Sequence, residues 1–270
     1  INVPFPDGYW QENTSFDTFV DAIAAAKLSE DQIAGVMMES YQGVGPDFAP
    51  VEYVREMAAW CKRHGVVLIF DEVQSGFGRT GKFWAFEHYG VTPDLITCGK
   101  GISSSLPISA VLGRPEVMDL FGPGSMTSTH TGNPLCCAAA LASLKKILKE
   151  DLTGNAARLE PVLIRGLAEI KKAYPDVIGH VTARGLVGGM QTVKSGMKKE
   201  PNHDLAHRII ELCYQKGLLM FAPVGAWGQT VKIGPPLTVP KDALEEGLAV
   251  LAEATRQAVE EFSQKTLACA

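Results

Sequence analysis

The feature that most limits what this chain can fold into is a run of five apolar residues, Val66-Val67-Leu68-Ile69-Phe70, that leads straight into Asp71. A strand with one wet face alternates apolar and polar residues, because successive side chains point to opposite sides of the sheet. A run without alternation suits a strand covered on both faces, as in a parallel sheet flanked by helices. Gly65 ends the preceding helical pattern, near 51–63, as a residue tolerant of left-handed backbone does. At the end of such a strand Asp71 reaches the sheet's carboxyl edge, where open α/β sheets bind their ligands.

Other segments repeat the arrangement. Residues 33–39, 95–98 and 108–112 read as short strands. Residues 15–29 read as a helix with Phe16, Phe19, Val20, Ile23 and Ala24 on one face. A long helix starts at Asn133-Pro134, where proline suits the first turn, and runs to about 149. Strands alternating with helices predict an α/β fold with a doubly wound, mostly parallel sheet. Past residue 150 the pattern changes: helices over 156–173, 203–216 and 241–263 flank short strands near 188–193, 218–222 and 230–234. The reading is two domains, a large one over 1–150 and a small carboxyl-terminal α+β domain over 151–270.

Charged residues make up 20% of the chain and the formal net charge is −5, which gives no reason to expect nucleic acid or an anionic membrane as partner. Basic pairs such as Lys145-Lys146 and Lys198-Lys199 read as solvated faces. No apolar run approaches the roughly 18–20 residues needed to span a bilayer, and the first residues lack a secretory pattern. The six cysteines, at 61, 98, 136, 137, 213 and 269, form no CxxC pair. They read as reduced thiols, most of them in the core of a cytoplasmic protein, with no metal site.

Two residues pose a chemical question. A carboxylate at the end of a buried strand is costly unless it meets a cation or several donors, although a strand-end aspartate also caps turns. Lys100 follows Leu95-Ile96-Thr97-Cys98-Gly99 and precedes the small-residue loop Gly101-Ile102-Ser103-Ser104-Ser105. Alone it is an ordinary surface lysine; a desolvated amine there is nucleophilic toward a carbonyl. Taken together, the two suggest one ligand that carries an aldehyde for Lys100 and a basic ring nitrogen for Asp71.

The stretch LIFDEVQSGFGRTGKFWAFEHYGVTPDLITCGKGISSSLPISAV, residues 68–111, closely resembles the core of the class III aminotransferases, which are pyridoxal-phosphate enzymes of fold type I. The resemblance extends through MMESYQG at 37–43, STHTGNPLCCAAA at 128–140, ARGLVGG at 183–189 and KIGPPLTV at 232–239. It implies that Asp71 binds the cofactor's pyridine nitrogen, Val73 packs on the ring and Gln74 bonds its phenolic oxygen. It implies that Lys100 forms the Schiff base with pyridoxal 5′-phosphate and moves the substrate's proton. Thr129 is expected to reach the cofactor phosphate of a partner subunit in a homodimer with shared active sites. The substrates implied are a small amino donor and a keto-acid acceptor.

Two departures from the family pattern matter. The Gly/Ser-Thr loop that grips the phosphate, and an aromatic residue that stacks on the ring, belong to a part of the family sequence that would precede residue 1. The chain thus resembles the carboxyl-terminal portion, somewhat over half, of a family member. In addition, Lys232 stands where many members have an arginine that clamps a substrate carboxylate, and Glu39 is expected to be its partner. Lysine offers a point charge in place of a planar fork, so glutamate becomes a less secure amino donor. An aminomutase or phospho-lyase of the same family, or a non-catalytic binding fragment, are the rival readings.

Overall fold

The computed structural model describes residues 1–197 and 199–268; Lys198 and Cys269 lie outside the described residues. The chain divides into two compact units, Ile1–Tyr41 with Phe48–Thr153, and Gln42–Asp47 with Gly154–Ala270. A single cut after residue 150 misses one part of this division, because the loop 42–47 joins the second unit.

The first unit holds a four-stranded sheet in the order β1 (Gly35–Glu39), β2 (Val67–Asp71), β3 (Leu95–Cys98), β4 (Ala110–Gly113). The first three strands run parallel, and β4 is antiparallel to β3. The expected mostly parallel sheet is therefore present with one reversed edge strand. Helices α1 (Asp17–Ala25) and α2 (Val51–His64) supply a cluster in which Phe16, Phe19, Tyr53, Trp60 and Phe70 are buried. Gly65 ends α2 at φ 67°, the left-handed cap expected of it. On α1, Val20 and Ala24 are exposed, so the buried stripe is narrower than the sequence reading made it.

The apolar run in β2 is closed on one face only. Leu68 and Phe70 are buried, whereas Val67 and Ile69 are half-buried. Ile69 lies in register with Met37 and Leu95, and Met37 is 55% exposed. The unit continues through α3 (Pro115–Met118) and an exposed stretch over 119–135 to α4 (Pro134–Lys149). Asn133 caps α4 by accepting from the N–H groups of Leu135 and Cys136.

In the second unit an antiparallel sheet, β5 (Ile178–Arg184), β6 (Val187–Thr192), β7 (Thr230–Ile233), packs with α5 (Leu152–Ala173), α6 (His203–Gln215) and α7 (Lys241–Ala268). Strand β5 was not expected from the sequence. The segment 218–222, expected as a strand, forms none, and Leu219 and Phe221 are exposed. Cys61, Cys98, Cys136 and Cys213 are buried and free, while Cys137 is exposed. Burial pushes the thiols of Cys61 and Cys213 up to about 11, which keeps them protonated and inert. Among the described residues no helix is long and apolar enough to cross a membrane, and no group of three or more His, Cys, Asp or Glu could hold a metal ion.

Candidate active site

The parallel register of β1, β2 and β3 places Glu39 opposite Asp71, and Asp71 opposite Thr97. Register partners share a face, so these three side chains form a row across the carboxyl edge of the sheet. The row continues the Met37–Ile69–Leu95 row, on the face that the first unit leaves less covered. Asp71 is half-buried; its Oδ1 accepts the N–H of Val73 at 2.8 Å, which fixes the carboxylate's orientation. Its Oδ2 makes no hydrogen bond among the described residues. Thr97 Oγ1 is buried and has no hydrogen-bond partner among the described residues. Glu39 lies one strand from Asp71. Two acids side by side in a sheet repel each other, which makes this end of the row favourable for a cation.

Lys100 lies three residues past Thr97 and opens a short 3₁₀ turn, Lys100–Ile102. Its side chain is exposed, and its backbone is left-handed, with φ 39°. For a residue other than glycine that geometry costs on the order of 1–2 kcal/mol, and such strain clusters where chemistry is done. Val73 and Gln74 follow Asp71 in the turn; both are half-buried, and the Gln74 carbonyl accepts the Tyr41 hydroxyl at 3.0 Å. Thr129 lies in the exposed 119–135 stretch. The structure thus gathers Glu39, Asp71, Val73, Gln74 and Lys100 at the strand ends of the first unit. Lys232 belongs to the second unit, where it is 8% exposed and its Nζ donates to the Gly43 carbonyl at 2.6 Å.

Glu72 was missed by the sequence reading. It is fully buried, and its carboxylate accepts from the hydroxyls of Ser40 and Ser75 and from the backbone N–H groups of Ala85 and Phe86. Burial raises its pKa, and the four hydrogen bonds oppose that rise. Through these bonds one side chain ties the end of β1, the turn after Asp71 and the start of the 3₁₀ helix Ala85–Tyr89. Its signal in the sequence was a second acid directly behind the first, at the point where the apolar run stops. Tyr41 was also missed; burial raises its pKa, so its hydroxyl acts as a fixed donor to Gln74.

This donor set suits a ring with a basic nitrogen and an aldehyde. A strand-end carboxylate with one oxygen unspent can hold a ring N–H, and an exposed amine one strand away can meet the aldehyde. The class III aminotransferase profile matches residues 1–255. The chain belongs to this family. Family members depend on pyridoxal phosphate.

Several relatives can be named. The chain is 37% identical over 261 residues to the leucine/methionine racemase of Thermococcus litoralis, covering 93% of this chain and 58% of that protein. It is 35% identical over 257 residues to a probable 4-aminobutyrate aminotransferase of Bacillus subtilis, covering 92% of this chain and 58% of that protein. An S-selective transaminase from Arthrobacter sp. superimposes with a TM-score of 0.80 at 31% identity, over 90% of this chain and 55% of that one. This class III chain therefore spans somewhat over half the length of the relatives it matches. An isoleucine 2-epimerase of Lentilactobacillus buchneri, 34% identical over 264 residues and covering 94% of this chain and 58% of that protein, adds a second relative that is not an aminotransferase. The sequence reading had weighed neither racemases nor epimerases.

Proposed function

We propose that the protein is a pyridoxal-phosphate-dependent aminotransferase that moves an amino group from an amine or amino acid to a keto acid. The observation that carries this reading is the register that sets Asp71 and Lys100 at the carboxyl ends of adjacent parallel strands. When bound, pyridoxal phosphate supplies an electron-withdrawing ring that stabilises negative charge at the substrate Cα. Asp71 holds the proton on the ring nitrogen, its carboxylate kept in place by the Val73 N–H. Val73 packs on the ring, and Gln74 donates to the phenolic oxygen. Lys100 carries the cofactor through its amine, and once the substrate has displaced it, Lys100 Nζ takes the proton from the substrate Cα. The active form is a homodimer in which Thr129 serves the partner's site; the exposure of the whole 119–135 stretch supports that reading.

A second reading, amino-acid racemase or epimerase, is favoured by the similarity to the Thermococcus racemase and the Lentilactobacillus epimerase. The two readings share Asp71 and Lys100 and part company at one proton. In transfer Lys100 Nζ takes the proton from the substrate Cα and does not return it there, water would release the keto acid, and the nitrogen would stay on the cofactor for the second substrate. In racemisation the proton returns to the opposite face of Cα.

Product analysis separates them. The intact protein, with cofactor, a chiral amino donor and a small keto acid, is expected to give one new amino acid for each keto product formed. Inversion of the donor without net transfer sinks the aminotransferase reading in favour of the racemase. Borohydride reduction followed by peptide mapping is expected to find the pyridoxyl group on Lys100, and a label elsewhere overturns both.

A further inference from the structure

Lys232 sits on β7, where all four residues are buried, and its register partner on β6 is Gly189. A Cβ on Gly189 would come within 2.6 Å of the Pro46 ring, so the loop 42–47 lies directly on the strand at this point. The Lys232 ammonium donates to the Gly43 carbonyl of the same loop at 2.6 Å. At the loop's other end Asp47 is 2% exposed, with Oδ1 3.2 Å from Nε2 of His180 on β5. Within the loop the Gln42 N–H closes on the Asp47 carbonyl at 2.9 Å. Gly45, which is buried, has Asp47 Oδ2, the Gln191 Nε2 of β6 and Gln42 Oε1 around it. All three strands of the second unit's sheet thus grip one six-residue loop, and Lys232 supplies the grip of β7.

A buried ammonium is stable only where its donors are met, and a charge-assisted bond to a carbonyl meets one of them strongly. With Nζ seated on the Gly43 carbonyl, the ammonium could meet a substrate carboxylate only from that fixed position. An arginine fork delivers two parallel bonds to a carboxylate, whereas this side chain is a point donor already seated on backbone. We propose that Lys232 is a positioning residue that holds the loop Gln42–Asp47 on the three-stranded sheet, and that the amino donor is chosen without a carboxylate contact at this position. The second half of the proposal rests on the aminotransferase reading; the first half does not.

Hydrogen–deuterium exchange and donor kinetics on the intact protein test both halves. Lys232→Met keeps the apolar stem and removes the ammonium. The amides of residues 43–45 and 47 are expected to exchange at least about tenfold faster, with α5 and α6 unchanged, and Lys232→Arg is expected to restore most of the protection. Should Lys232→Met fail to fold, Lys232→Gln, which keeps an N–H donor of shorter reach, gives the same reading. In kinetics, kcat/KM for an amino-acid donor and for a simple amine without a carboxylate should fall by the same factor. Unchanged exchange over 43–47 overturns the loop role. A loss confined to the carboxylate-bearing donor overturns the specificity claim. Absence of transfer with any donor removes the aminotransferase reading and leaves the exchange result standing.

Discussion

At the carboxyl edge of the four-stranded sheet Asp71 is half-buried and Lys100 exposed, whereas in the second unit Asp47 and Lys232 are 2% and 8% exposed. The first pair keeps bonding capacity in reserve: among the described residues nothing hydrogen-bonds to Asp71 Oδ2, and Lys100 projects from a left-handed backbone. The second pair faces inward, with Asp47 Oδ1 3.2 Å from His180 Nε2 and Lys232 Nζ donating to the Gly43 carbonyl. Both regions place a charge at or near the end of a strand, so position in the sheet alone does not separate chemistry from architecture. What separates the two lysines is whether the ammonium is already seated on the protein, as Lys232 is on the Gly43 carbonyl.

If that distinction is right, substitutions at the strand edge cost activity and leave stability nearly intact. The largest effect is expected at Lys100. Lys100→Ala removes the amine from an exposed position, so the melting temperature should stay within a few degrees while turnover falls at least ~10³-fold, about 4 kcal/mol in the barrier. A large loss of thermal stability in this variant would show that Lys100 is structural and erase the contrast. Asp71→Asn comes next. Asparagine keeps an oxygen to accept the Val73 N–H and loses only the charge, so the fold should hold while turnover falls at least ~10²-fold, roughly 3 kcal/mol. A near wild-type rate refutes the role given to Asp71.

Much of the first unit could be read from the sequence because its signals are local. The 66–70 run and the closing Asp71, or Leu95–Cys98 and the following Lys100, need only a few consecutive residues to reveal a strand and its exit. The register then brings the two exits together without further information. The second unit was less legible because its signals are distant. Strand β5, Ile-Gly-His-Val-Thr-Ala-Arg, has only Ile178 buried, so its composition does not announce a strand. Leu218–Ala222 is apolar enough to look like one, but apolar content does not supply a hydrogen-bonding neighbour. The loop 42–47 is Gly-rich and reads as an ordinary turn; the lysine that holds it lies 189 residues further along. Glu72 was not legible for another reason: its four donors come from three separate segments, so nothing local marks its role.

Thr129 tests whether the unspent chemistry of the first unit extends across a subunit boundary. Thr129→Val keeps the shape and removes the hydroxyl. Losing one hydrogen bond to a charged phosphate costs about 1.5–3 kcal/mol, so cofactor affinity should fall about 10- to 100-fold in a titration. In a hybrid dimer of Lys100→Ala and Thr129→Val subunits, a threonine acting across the interface leaves one site wholly intact. Half of the sites should then bind the cofactor with native affinity. If none does, Thr129 serves its own subunit, whereas unchanged affinity in the Thr129→Val homodimer would mean that it serves no cofactor.

The smallest effect belongs to Glu72, which applies the lesson of the second unit inside the first: a charge whose partners are all met should matter to stability. Glu72→Gln keeps the volume but turns an N–H₂ toward donors. The serine hydroxyls can rotate to accept, whereas the N–H groups of Ala85 and Phe86 cannot, so one amide is left unpaired. That loss is worth ~1–2 kcal/mol at neutral pH, measured by urea unfolding. The pH dependence has a definite sign. Burial holds the folded pKa of Glu72 above its ordinary value of 4.5, so the folded state binds a proton that the unfolded state releases. Stability from this group is full below the unfolded pKa and declines as pH rises through the folded one. Glutamine does not titrate, so the deficit of Glu72→Gln should widen as pH is lowered from neutral toward 4.5. A deficit that narrows over that range would mean that the four donors outweigh burial, and that Glu72 rests in its pocket as a stabilised anion.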